Sequence, residues 1–267
     1  MTAFSSSFSS SVFSVSSVAN VASPMPTKLS INVNKIATLR NTRPNLNIPD
    51  LVRLSAIAID AGVHGLTIHP RPDERHIRSS DVDPLAALAR AKKVEFNIEG
   101  NPFEGAYMDH CRRVRPTQCT LVPDEAGQST SDHGWDFSRD GERLKPIIAE
   151  LRSIGSRVSL FVDPNPADAG AARDVGADRI ELYTEPYAAA FARGDAAAAM
   201  VYAATAEAAL AANLGVNAGH DLNLANLAPF LANVPGAIEV SIGHALIGDA
   251  LEFGLAEMIR RYLAACA

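Results

Sequence analysis

From Leu29 to the C-terminus, short β-branched runs alternate with longer helical stretches, and this rhythm leaves few architectures open to the chain. The strand candidates are LSINVN (29–34), GLTIH (65–69), VEFNIE (94–99), QCTLVP (118–123), RVSLFVD (157–163), RIELYT (179–184), GVNAG (215–219) and IEVSIG (238–243). Between them lie amphipathic or Ala-rich segments: 49–62, 83–93, 143–155, 188–212 with a break at Gly194-Asp195, and a closing helix over 250–265. Helical segments close on Gly62, Gly155, Gly176 or Gly215, glycine being favoured where the chain turns left-handed after a helix. Strand, helix and strand in steady alternation imply right-handed crossovers and a parallel sheet. About eight such units, in a chain of 267 residues, predict a single closed (β/α)8 TIM-type barrel over 28–267. No GxGxxG follows the first strand, which counts against a dinucleotide-binding fold.

Composition narrows the function classes. A hydrophobic content of 47% with only 6% aromatics predicts a core of Ala, Val, Ile and Leu. A net charge of −6 and no Lys/Arg run argue against nucleic acid. No apolar stretch approaches the roughly 20 residues a membrane span needs. A soluble, cytoplasmic protein is the default expectation. Cys111, Cys119 and Cys266 are scattered without a CxxC pair, and are expected to be small buried hydrophobes in a reducing compartment. Residues 1–27 differ from the rest: Ser-rich, with no charged side chain before Lys28. They are expected to be a disordered leader or an over-extended start ahead of Met25; a plastid-type transit peptide is the minority alternative.

In a barrel of this kind the chemistry gathers at the carboxyl ends of the strands. Those ends carry Asn32 and Asn34, His69, Glu99, Glu181, Asn217 with His220, and His244 after Gly243. Three of the seven histidines thus fall at ends that the fold brings together. A metal centre would need clustered ligands, and the first strand holds Asn32-Val33-Asn34 where an HxH pair would be expected. Imidazoles beside Glu99 and Glu181 suit acid–base work, because burial and neighbours can tune both groups toward neutrality. Arg40, Arg43, Arg71 and Arg75 lie in the first two βα loops. Guanidinium forks bind phosphate and make poor neighbours for a divalent cation, so phosphorylated substrates fit better than a metal. In SIGHALIGDA (241–250) Gly243 admits close approach and a helix start follows, a second candidate anion site. Arg75 receives no role; an ion pair with Asp73 or Glu74 is expected. A sugar-phosphate lyase or isomerase and a non-catalytic phosphate binder remain as alternatives.

NVNKIATLRNTR (32–43), TIHPRPDERHIR (67–78), FNIEG (96–100), TLVPD (120–124), RIELYTEPYA (179–188), NAGHDLN (217–223) and SIGHALI (241–247) together resemble the pyridoxine 5′-phosphate synthase family of vitamin B6 biosynthesis. The likeness runs from about Lys28 to the C-terminus. It implies a barrel with extra helices, octamers built as a tetramer of dimers, and no metal or organic cofactor. The implied reaction condenses 1-deoxy-D-xylulose 5-phosphate with 3-amino-2-oxopropyl phosphate, releasing phosphate and water as the pyridine ring closes. By motif, His69 and Glu99 would be general bases, His220 the proton donor, and Glu181 a support for transition-state charge. Asn32, Arg43, Gly243 and His244 would hold the amino-ketone phosphate, and Arg71, His76 and Thr130 the deoxyxylulose phosphate. Many members read Asn-x-Asp-His in the first strand, and glycine often follows the His220 equivalent. Here Asn34, Lys35 and Asp221 stand instead; Asn34 and Lys35 can still hydrogen-bond a sugar phosphate, Asp221 adds negative charge near the phosphate region, and all three are expected to border the substrates. The stretch 123–137, polar and containing Gly127 and Gly134, is expected to act as a lid.

Overall fold

The computed structural model describes residues 26–267 apart from Pro44, Ala126 and Ser129. Residues 1–25, most of the expected leader, lie outside the described residues. Thr27 already belongs to the fold: its N–H donates to Cys266 O (3.1 Å) and its hydroxyl to Ala237 O (2.8 Å). Eight parallel strands close into a barrel in sequence order: β1 Lys28–Asn32, β2 Gly65–Ile68, β3 Glu95–Gly100, β4 Gln118–Leu121, β5 Arg157–Val162, β6 Arg179–Tyr183, β7 Gly215–Gly219 and β8 Ala237–Ile242. β8 returns to β1 with Ser241 opposite Ser30, and a bulge at Val216/Asn217 adjusts β7 against β8. Each strand segment read from the sequence is a strand here, with ends shifted by one or two residues.

Side-chain alternation along the strands sorts the core into two layers. Leu29, Ile31, Leu66, Ile68, Ile98, Leu121, Leu160, Ile180 and Val240 join the helices in one apolar cluster, as the composition predicted. The barrel's own interior is polar. Ser30 meets Thr67 (2.7 Å), Thr120 donates to Asn97 (3.1 Å), and Arg179 reaches Gln118, Asn217 and Glu239. Lower down, Glu95 pairs with Lys28 and Arg157. The cores of such barrels are ordinarily branched aliphatics, and this departure carries a chain of hydrogen bonds toward the catalytic end.

Extra helices occupy three crossings. Asn34–Asn41 and Leu51–Asp60 both follow β1. Glu185–Ala192, a 3-10 turn over Ala196–Ala199, and Met200–Ala211 follow β6, with the break at Gly194-Asp195 as expected. The closing segment is two helices, His244–Phe253 and Leu255–Ala265, because Gly254 at φ +84° ends the first. Gly62, Gly155 and Gly176 do take positive φ after helices. At the fourth junction Asn213 (φ 58°) makes that turn and Gly215 opens β7, where a Cβ would lie 2.9 Å from Arg179 Cγ and Ile238 Cδ1. All three cysteines are buried free thiols. Among the described residues no helix is long and apolar enough to cross a membrane.

Candidate active site

The carboxyl ends of the strands surround a cavity of about 390 Å³. Asn32, Asn34, Lys35, His69, Arg71, His76, Glu99, Thr130, Glu181, His220, Asp221, Gly243 and His244 all line it. Arg43 does not: it is exposed beyond the end of the helix Asn34–Asn41. Arg40, grouped with the anion-binding arginines from its position, is instead a structural residue. It is 2% exposed and grips Asp81 with two nitrogens, at 2.6 and 2.9 Å. Asn217 is buried inside the barrel, accepting from Arg179 (3.1 Å), and is absent from the lining. Thr38, Arg75, Ser131 and Ser241 line the cavity without having been assigned to the site. Ser241 was legible by parity with Glu239 on β8, and Thr38 by its place one turn beyond Asn34. Arg75 is held as expected, Nε donating to Asp73 Oδ2 at 2.7 Å, and Nη1 also donates to Gln128 O (2.8 Å).

Asn32, the last residue of β1, and Asn34, the first of the helix that follows, form an internal brace. Asn32 Nδ2 donates to Glu99 Oε2 (3.2 Å), while Asn32 Oδ1 accepts from Asn34 N–H (3.0 Å). Asn34 Oδ1 in turn accepts from His69 N–H (3.0 Å), so this side chain fixes the end of β2. Lys35, next to it in the first helical turn, is exposed at the cavity wall. Two glycines make room for the acid–base groups. A Cβ on Gly219 would stand 2.7 Å from Glu181 Oε1, and one on Gly243 would stand 3.1 Å from Asn32 Cβ.

His220 and Asp221 follow β7 in left-handed conformations, φ 79° and 56°. For non-glycine residues such backbone costs about 1–3 kcal/mol each and persists only where neighbours impose it. Thr184 Oγ1 donates to Gly219 O (2.6 Å) and to His220 O, and Asn226 Nδ2 donates to Asp221 O (3.2 Å). The turn aims the His220 ring at Phe161 and Tyr183, with centroids 5.0 and 5.9 Å away.

Burial sets the protonation states. It lowers His69 well below the ordinary imidazole value, helped by Arg71, His76, His220 and Arg75. His76 falls to about 4, through burial and then Arg71, Lys35 and Arg75. His220 also falls to about 4 through burial, against the pull of Asp221. Glu99 is raised, by burial and then by Glu181 and Asp124; Glu181 is raised to about 8, by burial and Glu239. At neutral pH these imidazoles are neutral, while burial favours the protonated form of both glutamates. The 3.8 Å approach of His69 Nδ1 to Glu99 Oε2 is a close contact that is longer than a hydrogen bond. Among the described residues no three His, Cys, Asp or Glu side chains are grouped to hold a metal ion.

Residues 29–267 match the family model described as pyridoxal phosphate biosynthesis protein PdxJ. The chain belongs to this family. It is 54% identical over 246 residues to pyridoxine 5′-phosphate synthase of Xanthomonas oryzae pv. oryzae (strain PXO99A), covering 90% of this chain and 96% of that protein. The enzyme of the same name from Albidiferax ferrireducens (strain ATCC BAA-621 / DSM 15236 / T118) is 53% identical over 90% of this chain and 97% of its own length. Among solved structures, 3-hexulose-6-phosphate synthase aligns with a TM-score of 0.59 at 14% identity, over 90% of this chain and all of that one. Thiamine phosphate pyrophosphorylase from Pyrococcus furiosus aligns with a TM-score of 0.57 at 13% identity, over 90% and 96%. At such identities these two support the barrel fold alone.

Proposed function

We propose that the chain condenses 1-deoxy-D-xylulose 5-phosphate with 3-amino-2-oxopropyl phosphate to pyridoxine 5′-phosphate, releasing phosphate and water. The observation that carries this reading is family membership along nearly the whole chain, with relatives of that name at 53–54% identity. The site's chemistry supports it. One set of anion-binding groups, Arg71, His76 and Thr130, comes from the segments after β2 and β4. A second, Gly243 and His244, opens the helix His244–Phe253, whose first N–H groups have no partners within the helix. Asn32, at the end of β1, belongs to that second set. Buried between the strand ends are His69, Glu99, Glu181 and His220.

The amine that attacks the sugar carbonyl belongs to the amino-ketone, so the protein need not supply a lysine nucleophile. Its work is to orient two dianions, exclude water and move protons. Neutral His69 and, once deprotonated, Glu99 accept protons; His220 donates; Glu181 supports developing charge. Asn34, Lys35 and Asp221 border the substrates, Lys35 bringing positive charge to the mouth. The segment 123–137 closes over the site in this reading. Gly127 (φ 90°) provides a turn, while Gly134 is wedged against β5, a Cβ there meeting Asp163 N at 2.3 Å, so movement is confined to the part before it.

We place the protein in the cytoplasm, its named relatives being bacterial, and assembled as an octamer, which would cover the exposed Leu39, Leu46 and Ile48. The test is incubation with both freshly made substrates and detection of the product chromophore, with Glu99→Gln and His220→Asn alongside. Each variant is expected to lose about 10²–10⁴-fold in turnover. No product from the wild-type chain refutes the reading.

A further inference from the structure

His69 lies between two carboxyl groups, and only one of them belongs to the main cavity. Glu99 Oε2 is 3.8 Å from Nδ1, and Asp124 Oδ2 is 3.7 Å from Nε2. Asp124 follows β4, is 4% exposed, and lines a separate cavity of about 20 Å³ with Asn101, Glu104 and Tyr107; His69 and Arg71 line both cavities. Its Oδ2 accepts from Arg71 Nη2 and from Ser131 Oγ (2.8 Å). Its Oδ1 is buried without a hydrogen-bonding partner among the described residues. Asn101 Nδ2 donates to the Asp124 carbonyl (2.9 Å), so the backbone is tied down while the carboxylate keeps spare acceptor capacity.

We propose that Asp124 is a positioning residue for His69, passed from Arg71 to the imidazole when the sugar phosphate binds. The inference rests on the reading above, in which Arg71 holds that phosphate and His69 is a base. The Arg71 fork is engaged by Asp124 and by the Gln128 carbonyl (2.9 Å). An incoming phosphate dianion competes for the same fork. Asp124 then turns to its other close neighbour, Nε2 of His69, closing from 3.7 Å to a hydrogen bond of about 2.8 Å. Such contacts are often long before substrate binds. A carboxylate accepting from Nε2–H fixes the tautomer and leaves the Nδ1 lone pair facing the cavity beside Glu99. The proton taken from substrate arrives on Nδ1, and the resulting imidazolium keeps its Nε2–H on Asp124. One contact thus links occupancy of the phosphate clamp to readiness of the base.

The groups facing His69 are Glu99 from β3, Asp124 from the segment after β4, Arg71, Arg75 and His76 from its own segment, and His220 from beyond β7. The test is steady-state product formation from pH 4 to 9 by the full chain and by Asp124→Asn and Asp124→Glu, with calorimetric titration of each by deoxyxylulose phosphate. For Asp124→Asn, kcat should fall by about tenfold or more. Its KM for the sugar phosphate should stay level or decrease, since Arg71 is released. The acidic limb of its kcat profile should move to lower pH, because the imidazolium loses a negative neighbour. Asp124→Glu should recover part of kcat. A raised KM with unchanged kcat overturns the inference, since Asp124 then only holds Arg71. A lost kcat with an unmoved acidic limb also overturns it, as does a variant that no longer binds the sugar phosphate. An inactive wild type removes the functional reading itself, whereas an active wild type with any of those variant results removes the Asp124 inference alone.

Discussion

Gly219→Ala should disable the site by displacing Glu181 from a place that only glycine leaves open. Gly219 ends β7 opposite Tyr183 on β6, and its φ lies outside the left-handed range, so alanine is acceptable to the backbone. The added methyl would lie 2.7 Å from Glu181 Oε1 and 3.3 Å from Ser241 O. Ordinary contact needs about 3.5 Å, so the carboxyl must move by roughly 0.8 Å. It has little room: Glu181 is 2% exposed, and its Oε2 already accepts a long hydrogen bond from Thr120 (3.5 Å). Overpacking of this kind costs about 1–3 kcal/mol. A misplacement near 1 Å in a catalytic constellation costs up to about 10²-fold in rate. The assay pairs product formation at saturating substrate with urea denaturation for Gly219→Ala, Glu181→Asp and the double variant. Aspartate retracts the carboxyl by one methylene, about 1.5 Å. The double variant should therefore be more stable than the sum of the singles predicts, by about 1 kcal/mol. Strict additivity, or a Gly219→Ala enzyme with kcat within about twofold of wild type, would refute the steric argument.

Arg40→Met should lower stability by roughly 3 kcal/mol, because Asp81 loses its buried partner and the His76 carbonyl a donor (3.2 Å); thermal melting reads it. Acid should destabilise the fold through His76 and His220. Their folded values near 4 lie below the unfolded 6.5, so stability present above pH 6.5 is lost as pH falls toward 4. Urea midpoints between pH 7 and 4 should drop less steeply for His220→Asn than for wild type. Glu181 acts with the opposite sign: raised to about 8, it makes stability fall as pH rises from 4.5 to 8, and Glu181→Gln should flatten that arm. Ile48→Asp should leave the monomer folded yet lower the sedimenting mass, if the exposed apolar residues around it are an assembly face.

What could be read in the sequence follows from which physical signals are local. Parallel strands covered on their outer face show as β-branched runs, so all eight were visible, and the strand ends then located nearly the whole cavity lining. Helix starts were less legible. Ser79–Lys92 begins four residues before the expected 83, and Phe137–Ser153 six before 143, since Pro84 and Pro146 sit inside helices where a proline ordinarily marks the first turn. Asp136 in fact caps the second, accepting from Ser138 N–H at 3.0 Å. The short helix Asn34–Asn41 has no side-chain cap at Val33 and gave no pattern to find. Arg40 reads like Arg71 in one dimension. Only the 41-residue contact to Asp81 separates a buried structural guanidinium from one that faces the cavity.

The polar barrel interior and the acid–base groups above it form one electrostatic arrangement. A carboxyl at the top of an aliphatic barrel would be desolvated from below with no compensating field. Here Glu181 looks down on Glu239, which raises it further, while Glu239 is itself held by Arg179 (3.3 Å). That stack keeps Glu181 protonated at neutral pH until something positive enters its surroundings. Glu99 is pushed in the same direction by burial and then by Glu181 and Asp124, although Arg71 and the Asn32 amide oppose this. Burial and neighbouring carboxyls thus favour protonated glutamates and neutral imidazoles at the strand ends. Two phosphate dianions alter that balance in one direction: added negative charge stabilises imidazolium and disfavours any new carboxylate. In the proposed roles, that charge makes His69 a better base and lets His220 carry the proton it donates, whereas Glu99 has to give up its own proton before it can accept one. The proposed ring closure, which both removes and returns protons, would then draw on His69 as acceptor and His220 as donor through the charge its own substrates bring.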